Sequence, residues 1–193
     1  MCVLPEAAKA YFGIRKDGSV DIKGLTAIKS NSTVFVSNVF NDCIQELTSV
    51  RNKSEFNKAK VRIKTIVRNA MNDLLLGKVP IKDLEYAVVI HDDPKEKLKG
   101  KSLHQPYQCA IQLFDSGKKV KRRDTMRFVK VKPFNYQGRK FTVKPTEHVK
   151  KFSEINLMDY FKNLRTALNQ TFKPMKIMMN ELEKGKRTLS DFL

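Results

Sequence analysis

The sequence predicts an α+β chain, mainly helical, with one small β-hairpin near its start and one short basic β element later. Three observations carry that reading. An Asp-Gly pair at 17–18 separates two short runs of apolar and polar residues. Apolar residues then recur at three- and four-residue steps over two long segments. Residues 126–132 alternate with a period of two.

The hairpin comes first. Lys9-Ala-Tyr-Phe-Gly-Ile-Arg15 leads into Lys16-Asp17-Gly18-Ser19, and Val20-Asp-Ile-Lys23 returns. Asp-Gly supplies the positive φ that a tight hairpin turn needs. Gly24 ends the second strand, and Leu25 to Lys29 are expected to stay extended. Ser30-Asn31-Ser32-Thr33 offers N-cap side chains. After it, Val36, Val39, Phe40, Cys43, Ile44 and Leu47 mark one helix face. Polar Arg51-Asn-Lys-Ser54 breaks this helix, and Ser54 is expected to cap the next. The second apolar stripe runs through Phe56, Ala59, Val61, Ile63, Ile66, Val67, Ala70, Met71, Leu74 and Leu75. Lys58, Lys60, Arg62, Lys64 and Arg68 are expected outside it. Gly77 and Pro80 stop the helix. Two helices so joined should be antiparallel neighbours.

The second half is more mixed. Leu84 to Ile90 reads as a short strand, closed by Asp92-Asp93-Pro94. Residues 95–101 form a charged loop. Pro106 suits the first turn of a helix through Tyr107, Ala110, Ile111, Leu113 and Phe114, with Gly117 at its end. Met126-Arg-Phe-Val-Lys-Val-Lys132 is expected to have one apolar and one basic face, and Phe141-Thr-Val143 to form a partner strand. A last helix runs from Asn156 to Phe172. Pro174 interrupts it, a short apolar segment follows to Leu182, and residues 183–193 make a flexible tail.

Charge narrows the function. The 193 residues hold 38 Lys and Arg against 20 Asp and Glu, a net of +18. Ten of those charges fall in residues 118–150, where twelve Lys and Arg meet only Asp124 and Glu147. An excess of one sign opposes itself unless a polyanion is near, so nucleic acid is the expected partner. Lys130 and Lys132, after Lys118, Lys119, Lys121, Arg122 and Arg123, suit phosphate contacts, which give affinity with little sequence readout. No apolar run is long enough to span a membrane. Cys2, Cys43 and Cys109 are scattered and form no CxxC pair, so a reducing, cytoplasmic setting near the nucleoid is expected. His91, His104 and His148 are isolated. No phosphate-binding Gly loop, nucleophile elbow or carboxylate cluster occurs, and Asp92-Asp93 before Pro94 reads as a turn. By its own residues the chain does not read as a complete enzyme.

The ordered elements resemble the C-terminal part of a family B DNA polymerase of the archaeal kind. Ala8-Lys9-Ala10-Tyr11-Phe12-Gly13 is similar to the family's Lys-Lys-Arg-Tyr motif at the end of the palm, with Ala8 and Ala10 in place of the first Lys and the Arg. Asp17-Gly18 and Asp21-Ile22-Lys23-Gly24-Leu25 follow as in the family, then the helical pair. Leu84 to Ile90, the Pro-led Gln105-Pro106-Tyr107 helix, Gly117 and Met126-Arg-Phe-Val129 keep its order.

The resemblance implies a palm β segment at 1–29, a thumb at 30–182 and the tail at 183–193. It implies DNA contacts for Lys9 and Tyr11 near the primer terminus, and a DNA contact for Lys23. Along the duplex backbone it implies Lys97, Lys99, Lys101, Ser102, His104, Gln105 and Tyr107, with Lys130 and Lys132 on the basic strand. The metal-binding aspartates, fingers and exonuclease belong to motifs that precede Met1. The chain is therefore expected to bind no cofactor itself. It would complete a larger catalytic chain that uses Mg²⁺. Lys186-Arg-Thr-Leu189-Ser-Asp-Phe192-Leu193 resembles a sliding-clamp-binding motif, in which Lys186 replaces the Gln and Leu189, Phe192 and Leu193 are the apolar plugs. The competing reading is a stand-alone basic DNA-binding or chromatin-like protein. An RNA-binding, ribosome-associated protein fits the charge but fits the helical pair and hairpin order less well.

Overall fold

In the computed structural model, residues 2–3, 11–15, 17–97 and 103–177 are described. They fall into two compact units. One is drawn from Met1–Lys78 and Phe161–Leu193, and the other is Val79–Tyr160.

The first unit holds an antiparallel sheet in the order β1-β2-β3: Cys2–Val3, Tyr11–Ile14 and Val20–Lys23. Its β2–β3 hairpin turns where Asp-Gly predicts. Gly18 has a φ of 85°, and the Asp17 carboxylate accepts the Ser19 backbone N–H at 2.9 Å and its hydroxyl at 2.7 Å. The next stretch is a 3-10 turn, Thr26–Ile28, and not extended chain. Leu25 and Ala27 are both fully buried, and an extended strand would have left the Thr26 N–H and Ala27 C=O without these partners. Gln170 accepts the first at 3.0 Å, and Ser37 donates to the second at 2.7 Å.

Helix α1, Val34–Thr48, buries Phe35, Val36, Val39, Phe40, Cys43, Ile44 and Leu47. The Thr33 hydroxyl caps it by accepting the Val36 N–H at 3.3 Å. Helix α2, Lys53–Leu75, packs back on α1, with Arg62 bonded to Glu46 across the pair. Its cap is Asn52 rather than Ser54. Asn52 accepts the Glu55 N–H at 3.0 Å, while the Glu55 carboxylate accepts the Arg51 N–H at 2.6 Å. A carboxylate three residues beyond the cap satisfies a second orphan donor, which Ser54 could not arrange. The expected stripe was too wide: Ala59, Ile63, Val67 and Leu74 are buried, whereas Val61 is 64 % exposed. The unit also takes the later part of helix α5, Leu157–Phe172, where Phe172 meets Phe40 at a centroid distance of 6.3 Å.

The second unit is built on an antiparallel sheet in the order β4-β5-β6: Tyr86–Val89, Thr125–Tyr136 and Arg139–Pro145. A 3-10 turn, Ile81–Leu84, enters it, and a four-residue helical turn α3, Pro94–Lys97, follows β4. Helix α4, Gln105–Asp115, packs on β5 and β6. Tyr107, Cys109 and Ala110 there meet Met126, Phe128 and Val143. Both strands of the hairpin exceed their expected lengths. Gln137 (φ 50°) and Gly138 (φ 74°) make the primed turn that matches strand twist.

One expectation fails here. Residues 126–132 do not have a basic and an apolar face. Met126 and Phe128 lie on one side by alternation, yet Val129 and Val131 on the other are just as buried. Both faces are covered, and a bulge between Lys130 and Phe134 shifts the register.

Candidate nucleic-acid interface

The basic stretch of the second unit is anchored at its backbone. After α4, the chain turns through residues 117–124. Arg123 donates its N–H to Ile90 O at 2.8 Å, and Ile90 returns one to Asp124 O at 3.1 Å. The Asp124 carboxylate accepts the Lys121 N–H at 2.7 Å, and Arg122 Nε donates to His91 O at 2.6 Å. Val120 points inward into the α4–sheet core. Arg123 sits at a φ of 71°, a conformation that a non-glycine residue holds only when its surroundings impose it. The backbone is thus tied down, while Lys119, Lys121, Arg122 and Arg123 are exposed. This arrangement presents cations without demanding much ordering on binding.

Several other cations in the unit are committed to carboxylates. Lys118 binds Glu147 at 2.6 Å, Lys144 binds Glu154 at 2.5 Å, and Lys82 and Arg127 both reach Glu85 at 2.8 Å. The Glu85 side chain is only 6 % exposed. Burial pushes its carboxyl up, but hydrogen bonds led by Lys82 and joined by Arg127 outweigh that and hold it below the ordinary glutamate range. A depressed folded value means the stabilisation is complete above the ordinary glutamate pKa of about 4.3 and is lost as pH falls through the folded value. Glu85→Gln is therefore expected to lower stability at pH 7. It should also flatten the loss of stability between about pH 5 and 3 in an acid titration followed by circular dichroism. An unchanged acid limb would show that Glu85 does not carry it.

The sequence-predicted residues fare differently. Lys132 is exposed on β5, and Lys23 is exposed at the end of β3. Tyr11 is half-buried opposite Lys23 in the hairpin. Lys130 is not on a basic face. Its side chain is 18 % exposed, lies 3.9 Å from Asp159 and sits over the Tyr86 ring at 5.3 Å. Tyr107 packs: it is buried, and its hydroxyl donates to the Asp92 carboxylate at 3.2 Å and accepts the Asp92 N–H at 3.2 Å. Lys97 binds the same carboxylate at 2.9 Å. That bond, ahead of the one from Tyr107, holds the Asp92 carboxyl below its usual range and raises the Lys97 ammonium. Asp92 and Asp93 sit at the turn that the sequence implies, and the structure adds the use of Asp92.

Gln105 donates to the Thr142 hydroxyl at 3.3 Å, and His104 is exposed at the α4 cap without a side-chain capping bond. The helix end offers few free donors. Pro106 has none, and His104 O accepts the Tyr107 and Gln108 N–H groups at 2.9 and 3.0 Å. Lys9, Lys99, Lys101, Ser102, Lys186, Leu189, Phe192 and Leu193 lie outside the described residues. Sequence reasoning missed Glu85 and Tyr160 as hubs. Glu85 is a charged residue within the otherwise apolar run 84–90, and that was the available signal; Tyr160 reads as one more apolar position of its helix and offered none.

Residues 2–175 match the model of DNA polymerase family B. The chain belongs to that family. Among its relatives, DNA polymerase 1 of Saccharolobus solfataricus is 29 % identical over 174 residues, 90 % of this chain and 19 % of that protein. DNA polymerase 1 of Sulfurisphaera ohwakuensis is 30 % identical over 165 residues, 86 % of this chain and 18 % of that protein. The chain thus spans about a fifth of the length of the curated relatives it matches. The fold is that of a region of the family B DNA polymerase from the hyperthermophilic archaeon Pyrobaculum calidifontis. That match has a TM-score of 0.66 and 22 % identity, and covers 88 % of this chain and 21 % of that one. Among the described residues no helix is long and apolar enough to cross a membrane.

Proposed function

We propose that this chain is the thumb and palm-end part of a family B DNA polymerase. It grips primer–template duplex and completes a larger catalytic polypeptide that bears the palm, fingers and exonuclease. The family match over residues 2–175 carries this reading. The anchored basic turn at 117–124, with Lys132 beyond it, supports duplex binding through phosphates. Among the described residues no three His, Cys, Asp or Glu side chains come together as a metal site, and Lys97 and Tyr107 engage the Asp92 carboxylate. In this reading the Mg²⁺ ions of the assembled polymerase belong to the larger polypeptide.

Primer extension tests the reading. The catalytic polypeptide should extend primers faster and more processively when this chain is added. Equal extension and processivity without it would sink the proposal.

The segment 186–193 extends the proposal to a sliding clamp, with Leu189, Phe192 and Leu193 as plugs and Lys186 at the Gln position. Deleting it should abolish clamp-stimulated synthesis and leave basal duplex binding intact. Clamp binding that survives the deletion rules the motif out.

A further inference from the structure

The first unit carries a trough of about 660 Å³ that no part of the duplex-binding reading uses. Its apolar surface comes from Ile14 at the end of β2, Leu47 and Val50 at the end of α1, and Phe56 in α2. Its other lining residues include Arg15, Arg51 and Lys53, and among the described residues no Asp or Glu lines it. The cations are set on ordered backbone. Arg51 Nη1 donates to Thr48 O at 2.8 Å and to Val50 O at 3.2 Å, so it closes the end of α1, and among the described residues no carboxylate pairs with its guanidinium. Glu55, the nearest acid in sequence, is spent on the Arg51 N–H at 2.6 Å and the Asn52 amide at 2.9 Å. Among the described residues Arg15 makes an exposed ion pair with Asp21 at 3.3 Å and lies in the field of Asp17, which is itself bonded to Ser19. Lys53 has no carboxylate within ion-pair distance among the described residues.

We infer that this trough docks an acidic, apolar-anchored peptide segment of the larger catalytic polypeptide. The inference rests on the function proposed above, which leaves about four fifths of the relatives' length to that partner. Charge complementarity chooses the sign of the occupant. The four apolar side chains choose a peptide over a nucleic-acid backbone, because phosphate and sugar offer little apolar surface to bury there. The volume suits two or three side chains.

A fluorescein-labelled peptide, Glu-Glu-Phe-Asp-Leu-Glu, tests this by anisotropy with the full chain. It should bind at least tenfold more tightly than the same peptide with Ser at the Phe and Leu positions. The double variant Arg15→Glu, Lys53→Glu should bind the Phe-Leu peptide at least tenfold more weakly. Arg51 closes α1, so it is left intact, and thermal melts confirm folding of the variant. The variant should also capture the catalytic polypeptide at least tenfold less well, with 20-bp duplex affinity changed less than twofold. Equal binding of the Ser peptide overturns the inference, because the trough would then attract any polyanion. A parallel loss of duplex affinity overturns it in favour of a DNA contact. Wild-type capture by the double variant overturns the docking site alone. Absence of capture by the wild-type chain overturns the proposed function, and this inference with it.

Discussion

Replacing Lys119, Lys121 and Lys132 by Gln and Arg123 by Asn is expected to weaken duplex binding by about three orders of magnitude at 0.1 M salt. Each lost phosphate contact removes roughly 0.9 from the slope of log affinity against log salt. Four losses should therefore lower the slope by about three to four. The effect should be the same for unrelated duplex sequences, because contacts of this kind carry no base readout. Asn is chosen at position 123 because it tolerates the left-handed backbone found there (φ 71°), so binding changes without added strain. The four residues are exposed, and none makes an ion pair with an acid among the described residues, so stability should change by less than about 0.5 kcal/mol. Titration by fluorescence anisotropy at several salt concentrations decides the matter. A slope equal to wild type would place the duplex elsewhere on the chain. Lys130→Gln serves as contrast: with Asp159 and Tyr86 already engaging its ammonium, it should change the slope little.

Tyr160→Phe is expected to destabilise the chain by about 2–4 kcal/mol and to lower the melting temperature by roughly 5–15 °C. The hydroxyl is fully buried. It accepts the Lys130 N–H at 2.9 Å and donates to Leu84 O at 2.8 Å. Its removal strands a backbone donor and a backbone acceptor where water does not replace it, and each orphan costs about 1–3 kcal/mol. The ring stays, so packing against Tyr86 at 5.9 Å is retained and little cavity forms. Burial pushes the phenol far above its usual range, so the effect should not vary with pH up to strongly alkaline conditions. A loss below 1 kcal/mol in chemical denaturation would mean that the two backbone groups find other partners.

Elements governed by local chemistry were legible. Asp17-Gly18 forces its turn through one glycine, and the steps Val36, Val39, Phe40, Cys43, Ile44 and Leu47 describe a helix face that is buried as read. Most of what failed depended on distant neighbours. Whether Val129 is covered cannot be read from alternation, because an alternating pattern assumes one wet face and this strand has none in its middle. Position 52 outcompeted position 54 as a cap because of a carboxylate three residues on, and that signal was present in Asn52-Lys-Ser-Glu55. The site divided similarly. Exposed cations such as Lys132 could be placed from charge density, whereas the fates of Lys130 and Tyr107 were decided by Asp159 and Asp92, one distant in sequence and one on another element.

The bond from Tyr160 to Leu84 also joins the place where the second unit begins to the place where it ends. A module whose entry and exit are already tied needs little further entropy loss to close its own ends. Residues 79–160 can therefore be treated as a transplantable cassette. New termini opened at the Gln137-Gly138 turn, with the old ones bridged by a few residues, should yield a permuted unit with the same sheet order.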